Sequence, residues 1–283
     1  MAAQYALRTA QRMQRALRVE WEDGLAAQFT YVWLRDNCEK RPSLLHLDLH
    51  AKPQVVDADR HKLSLVWPPF LSSDYSSQFL REHTRVKQPI ASAASCPITK
   101  KVLTVPWTVL PFAPRNETFA KGHMAAIEWG SAASEAGTVW PQLEQVPSLL
   151  TVETDTPGAK LHLVDAVSAL SLMSATHPEQ FSFLASNPVE YHADLFTAAH
   201  RVARIEDGRI VAAVFNNELR SAEITVDCLE MYYQSLKTFH QICLDTMHTV
   251  RLDPESVLVV DNTQTFLGAP AQCGRKLSLK IFR

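Results

Sequence analysis

Apolar and polar residues alternate in short runs along this chain, and only one long stretch breaks the pattern. Leu17-Arg18-Val19-Glu20-Trp21, Lys62-Leu63-Ser64-Leu65 and Leu161-His162-Leu163 carry a period of two, which sends successive side chains to opposite faces of a strand. From Val226 to about Val250 the spacing changes. Leu229, Tyr233, Leu236, Phe239 or His240, Cys243 and Met247 share one stripe at helical period. Many short strands with one long crossing helix predict a mostly β fold with helices, arranged as a jelly-roll-like sandwich. No internal repeat is visible.

The chain has 283 residues, enough for one large or two modest domains, each with a real core. A formal net charge of −2 gives no electrostatic footprint for nucleic acid. No apolar run approaches the roughly 18 residues needed to span a bilayer. The five cysteines (Cys38, Cys96, Cys228, Cys243 and Cys273) are odd in number and widely spaced, without a CxxC pair. That usage fits reduced, intracellular thiols better than a disulfide scaffold.

Residues 1–16 read as a leader. Arg8, Arg12, Arg15 and Arg18 precede the first acid, Glu20, which suits either a mitochondrial presequence or an exposed approach to the first strand. Residues 17–90 read as a small β module. Its hairpin runs from Leu17 through the turn Glu22-Asp23-Gly24 and returns over Phe29 to Leu34. A strand pair follows at Gln54-Val55-Val56 and Lys62 to Trp67, ended by Pro68-Pro69, then a short helix from Ser76 to His83. Residues 91–116 form a linker with one strand, Lys101 to Val105. Residues 117–283 form the second domain. There Asp165 caps a helix after the strand Leu161 to Val164, and Pro178 starts another helix. A hairpin spans Arg201 to Ile205 and Arg209 to Phe215, and the strands Ser256 to Val260 and Lys276 to Phe282 form a final pair.

The run Tyr31-Val32-Trp33-Leu34-Arg35-Asp36-Asn37-Cys38 resembles the WLRDNC signature of the γ-butyrobetaine and trimethyllysine dioxygenases. These are iron(II), 2-oxoglutarate-dependent hydroxylases of carnitine synthesis. Three later segments resemble the same family in the same order. They are Leu163-Val164-Asp165-Ala166 with His177-Pro178-Glu179-Gln180-Phe181, then Phe215-Asn216-Asn217-Glu218-Leu219-Arg220, then Val259-Val260-Asp261-Asn262. The resemblance implies an N-terminal β module followed by a double-stranded β-helix, the jelly-roll dioxygenase domain, shortened here between the linker and Pro147. Gly122-His123-Met124 stands as a remnant of the family's YGHTW segment. The resemblance also implies iron(II), 2-oxoglutarate, ascorbate and a structural zinc as the family's cofactors, and a homodimer. Since the trimethyllysine branch is mitochondrial, a mitochondrial location is favoured over a cytoplasmic one.

The metal ligands are where this chain departs from the pattern. Iron(II) oxygenases hold the ion with two imidazoles and one carboxylate, leaving open positions for co-substrate and dioxygen. The family supplies them as an H-T-D-x-P run and a histidine soon after the DN strand. Gly137-Thr138-Val139-Trp140-Pro141 matches the first run, with Gly137 and Val139 in place of histidine and aspartate. After Asp261-Asn262, Leu267 takes the place of the distal histidine. Zinc fares alike. Cys38 is followed by Glu39-Lys40-Arg41-Pro42-Ser43, so two of three thiolates are missing, and Tyr75 takes the place of the zinc histidine.

Other residues retain family character. Arg275 in Gly274-Arg275-Lys276-Leu277 matches the arginine that grips 2-oxoglutarate through paired hydrogen bonds. Asn216, Asn217 and Trp140 are candidates for the substrate side, where the family cages a quaternary amine. Two decoy triplets, His46-Leu47-Asp48 and His192-Ala193-Asp194 with His248 downstream, mimic the metal motif outside its register. They read as ordinary surface or helix-end histidines. The resulting expectation is a dioxygenase-like protein that has lost its iron and its catalysis, with 2-oxoglutarate or a small quaternary amine as its possible ligands. The alternatives are an active hydroxylase of γ-butyrobetaine or trimethyllysine, and an aberrant product lacking part of its core.

Overall fold

The computed structural model describes residues 5–84, 113–114, 127–128, 137, 149–154, 156–193, 196–254, 256–268 and 277–282. The chain divides into two compact units, residues 1–92 with 222–237 and residues 93–221 with 238–283.

In the first unit, two three-stranded antiparallel sheets carry the core. One joins Leu7–Arg12, Ala16–Trp21 and Ala26–Thr30; the other joins Val55–Ala58, Lys62–Trp67 and Leu71–Ser76. Period-two burial follows the sequence pattern, with Leu17, Val19 and Trp21 buried along one strand and Leu63, Leu65 and Trp67 along another. Each tryptophan ends in a polar contact, as a buried indole requires. Trp21 donates to Ser77 Oγ at 3.0 Å, Trp67 to Ser73 Oγ at 2.6 Å, and Trp33 to the Ala222 carbonyl at 3.0 Å. Residues 7–12 of the expected leader are themselves a strand, in register with residues 17–21.

The return strand expected over Phe29 to Leu34 stops early. The strand Ala26–Thr30 ends where the helix Tyr31–Asp36 begins, with the Thr30 hydroxyl accepting from the Trp33 amide at 3.4 Å. A threonine at this position satisfies one of the orphan amides of the first turn. At the other end of the helix, Asp36 is fully buried. Tyr233 donates to its Oδ2 at 3.0 Å, and the Arg41 guanidinium lies 3.8 Å from its Oδ1. Cys38 is buried, its sulfur accepting from Arg35 Nη1 at 3.0 Å, so a guanidinium of the chain itself stands beside the thiol. Tyr75 is also buried and donates to the Leu34 carbonyl.

The second unit is likewise mostly β with helices. Its five-stranded antiparallel sheet runs in the order Ala113–Pro114, Ser256–Asp261, Leu149–Thr154, Leu277–Phe282, Ile127–Glu128. The two C-terminal strands therefore do not pair with each other as expected; Leu149–Thr154 lies between them. A three-stranded sheet sets Ala159–Asp165 between His248–Leu252 and Thr265–Gly268. Two hairpins complete the strands, Pro188–Ala193 with Phe196–Arg201 and Ala203–Glu206 with Arg209–Ala213. The second turns through Asp207 and Gly208, both at positive φ, the left-handed pair a tight two-residue hairpin demands.

Helix starts in this unit follow their local chemistry. Asp165 caps Ala166–Thr176 by accepting from the Ser168 amide at 2.8 Å, and Pro178 opens Pro178–Ser186. The helix Leu229–Asp245, whose residues 229–237 belong to the first unit, is shorter than the periodic stretch, because His248–Leu252 forms a strand. Among the described residues the strands form separate sheets and hairpins and make no closed barrel. The expected strand at Lys101 to Val105 lies outside the described residues. Among the described residues no helix is long and apolar enough to cross a membrane.

Two outcomes test the first unit. Tyr233→Phe removes a hydrogen bond to a buried carboxylate and should cost about 1.5–3 kcal/mol in urea unfolding. Burial pushes the Tyr75 phenol well above its ordinary value of 10.0. The folded form resists ionisation, so this contribution is complete below pH 10 and is lost as pH climbs past it. Stability measured by denaturant should fall over that alkaline window, and Tyr75→Phe should flatten the fall.

Candidate functional site

Gly137 and Leu267, the two positions expected from the sequence to stand where the family carries histidines, meet in the second unit. Leu267 lies on the strand Thr265–Gly268, opposite Leu163 of Ala159–Asp165. Both main-chain groups of Leu267 engage Gly137 instead. The Gly137 amide donates to the Leu267 carbonyl and the Leu267 amide to the Gly137 carbonyl, each at 3.1 Å. Two residues 130 positions apart in the chain thus form one antiparallel bridge.

A third segment closes over this pair. A Cβ built on Gly137 would lie 2.6 Å from the Phe215 carbonyl oxygen and 3.4 Å from Asn216 Cα. The contact is with backbone, which has no flexible end to swing aside, so only glycine fits. Asn262 is fully buried behind the bridge, donating from Nδ2 to the Thr265 carbonyl at 2.9 Å and the Gly137 carbonyl at 3.5 Å. Leu267 is buried. Phe215, Phe239 and Phe266 form an aromatic cluster with ring centroids 5.5 to 6.4 Å apart, and His240 lies 6.2 Å from Phe215. Glycine and leucine offer no side-chain donor, and their backbone groups are consumed by the bridge, so this pair does not fit a metal ion.

The remaining candidates scatter. The hairpin strand expected to reach Phe215 ends at Ala213, and Phe215 to Arg220 forms a turn-containing loop. Asn216 Oδ1 accepts from the amides of Glu218 and Leu219 at 3.0 and 3.1 Å, which curls the loop back on itself. Asn217 Oδ1 accepts from Arg220 Nε at 2.9 Å, and both side chains are buried. His192 is exposed on the hairpin strand Pro188–Ala193, opposite Thr197. His248 is exposed at the start of His248–Leu252 rather than at a helix end, as expected from the long periodic stretch. Val139, Trp140, Asp194, Arg275 and the segment Gly122-His123-Met124 lie outside the described residues. Among the described residues no three His, Cys, Asp or Glu side chains converge as a metal set.

Sequence reasoning missed Asn262 as the clasp of this bridge and the Phe215 carbonyl as its lid. The Asp-Asn pair marked the place, but an asparagine after a strand does not disclose which distant carbonyl it will meet.

No known family profile matches the chain. The γ-butyrobetaine dioxygenases of Pongo abelii and Homo sapiens are each 20% identical to it, over 90% and 89% of this chain and 86% of each relative. Their alignments extend over 340 and 338 positions, more than the 283 residues present here, so the relatives carry segments without a counterpart. Among solved structures, a taurine dioxygenase from Burkholderia xenovorans is 16% identical, with a TM-score of 0.46 over 56% of this chain and 61% of that one. An asparagine oxygenase in complex with Fe(II), hydroxyasparagine and succinate is 13% identical, with a TM-score of 0.43 over 54% of this chain and 50% of that one. This chain spans less than two thirds of either solved structure. The class it resembles is that of the dioxygenases. Among them the chain is similar, at a distance, to the γ-butyrobetaine dioxygenases.

The close approach at Gly137 sets an expected outcome. Gly137→Ala should lower stability by about 1–3 kcal/mol, the usual range for an overpacked site, as read by thermal or urea unfolding.

Proposed function

We propose that this chain is a shortened relative of γ-butyrobetaine dioxygenase that holds no iron and catalyses no hydroxylation, retained as a binding protein or partner subunit. The observation that carries this reading is the Gly137–Leu267 bridge under the Phe215 carbonyl. A facial triad needs two imidazoles and a carboxylate directed at one point. At the two positions aligned with the imidazoles, one residue has no side chain and no room for one, and the other presents a buried isobutyl group. Val139, aligned with the carboxylate, has no donor atom either. Fold without its site does not carry activity.

For a retained 2-oxoglutarate contact, Arg275, just before the strand Leu277–Phe282, is the residue to test. Its guanidinium would bind a carboxylate without any metal.

Anaerobic titration of purified protein with ferrous iron, followed by metal analysis, should leave far less than one iron per chain. Incubation with 2-oxoglutarate and either γ-butyrobetaine or trimethyllysine should release no succinate above the protein-free control. Stoichiometric iron, or succinate release that depends on the amine, would overturn the reading.

A further inference from the structure

We propose that the unit formed by residues 1–92 and 222–237 binds a small amphiphilic carboxylate, with its hydrocarbon body in a cavity floored by Tyr31, Val32, Leu229 and Tyr233 and its carboxylate at Lys52. The cavity measures about 380 Å³, inside the range of small-molecule sites. Every residue that lines it belongs to this unit, so the site is separate from the Gly137–Leu267 bridge and does not depend on how that bridge is read.

The chemistry of the walls selects the ligand. Polar atoms at the floor already have partners inside the protein. The Tyr31 hydroxyl donates to the Met13 carbonyl at 2.9 Å, the Tyr233 hydroxyl to Asp36 Oδ2 at 3.0 Å, and the Thr30 hydroxyl caps its helix. Beside Gln14 and His50, ring faces and aliphatic carbons are what remain to meet a guest. At the rim, Arg15 and Glu230 neutralise one another through two hydrogen bonds of 3.0 and 3.1 Å. Lys52 lines the cavity and is exposed, and no ion pair engages it among the described residues. The charge left over at the mouth is therefore positive. An apolar body bearing one anionic head matches both features, whereas a cation would meet Lys52 and a neutral chain would leave it unused.

Sodium octanoate is the probe, titrated into the protein by calorimetry beside octanol and octylammonium chloride. Octanoate should bind saturably at one site per chain, more tightly than either analogue. Lys52→Glu should weaken octanoate binding about three- to tenfold, in line with reversal of an exposed charge, while Lys52→Arg keeps it. Val32→Trp, which fills the floor, should abolish it. Lys52 is exposed, so the charge reversal remains informative if the tryptophan variant fails to fold. Absence of saturable octanoate binding, equal binding of octylammonium, or unchanged affinity in Lys52→Glu would overturn the proposal.

Discussion

Two backbone hydrogen bonds between Gly137 and Leu267 govern the centre of the second unit. They bring distant segments so close that the Phe215 carbonyl sits where a Cβ at residue 137 would stand. Once glycine occupies that position, the neighbours can close in. Asn262 reaches across to the carbonyls at both sides, and the rings of Phe215, Phe239 and Phe266 pack nearby. Each contact satisfies or shields a main-chain group that would otherwise be costly to bury. A site for a charged ion needs the opposite arrangement, with donors converging and room left between them.

The first unit is organised around a different constraint, a buried carboxylate. Asp36 lies at the end of a six-residue helix and is fully enclosed. An isolated carboxylate there would be strongly unfavourable, so Tyr233 and Arg41 are positioned by it as much as it is by them. The Tyr233 hydroxyl is committed inward, and its ring is left to form part of the cavity floor. A run that carries the family resemblance thus has evident structural duties. Trp33 fills core, Asn37 binds back to the Trp33 carbonyl at 2.9 Å, and Cys38 rests against Arg35.

Local chemistry was legible where one residue sufficed to decide the outcome. Asp165 as a cap, Pro178 as a helix start and Asp207-Gly208 as a hairpin turn each act within a few positions of themselves. Tyr31-Val32-Trp33-Leu34 was misleading because aromatic and β-branched residues favour a strand, yet the Thr30 cap turned them into a helix. His248 was misplaced for a related reason. Helical spacing persists past Asp245, but the ladder with Ala159–Asp165 wins there.

The amino-acid sequence by itself determined the mostly β character, the helix starts and the burial pattern along the strands. Side-chain chemistry and short-range geometry are enough for all of these. Only the tertiary structure decided that Gly137 and Leu267 face each other, that Leu149–Thr154 separates the last two strands, and that Asn216 and Asn217 fold into their own loop. Such pairings depend on which backbone edges remain open once the rest of the chain has packed, and no local pattern encodes that choice.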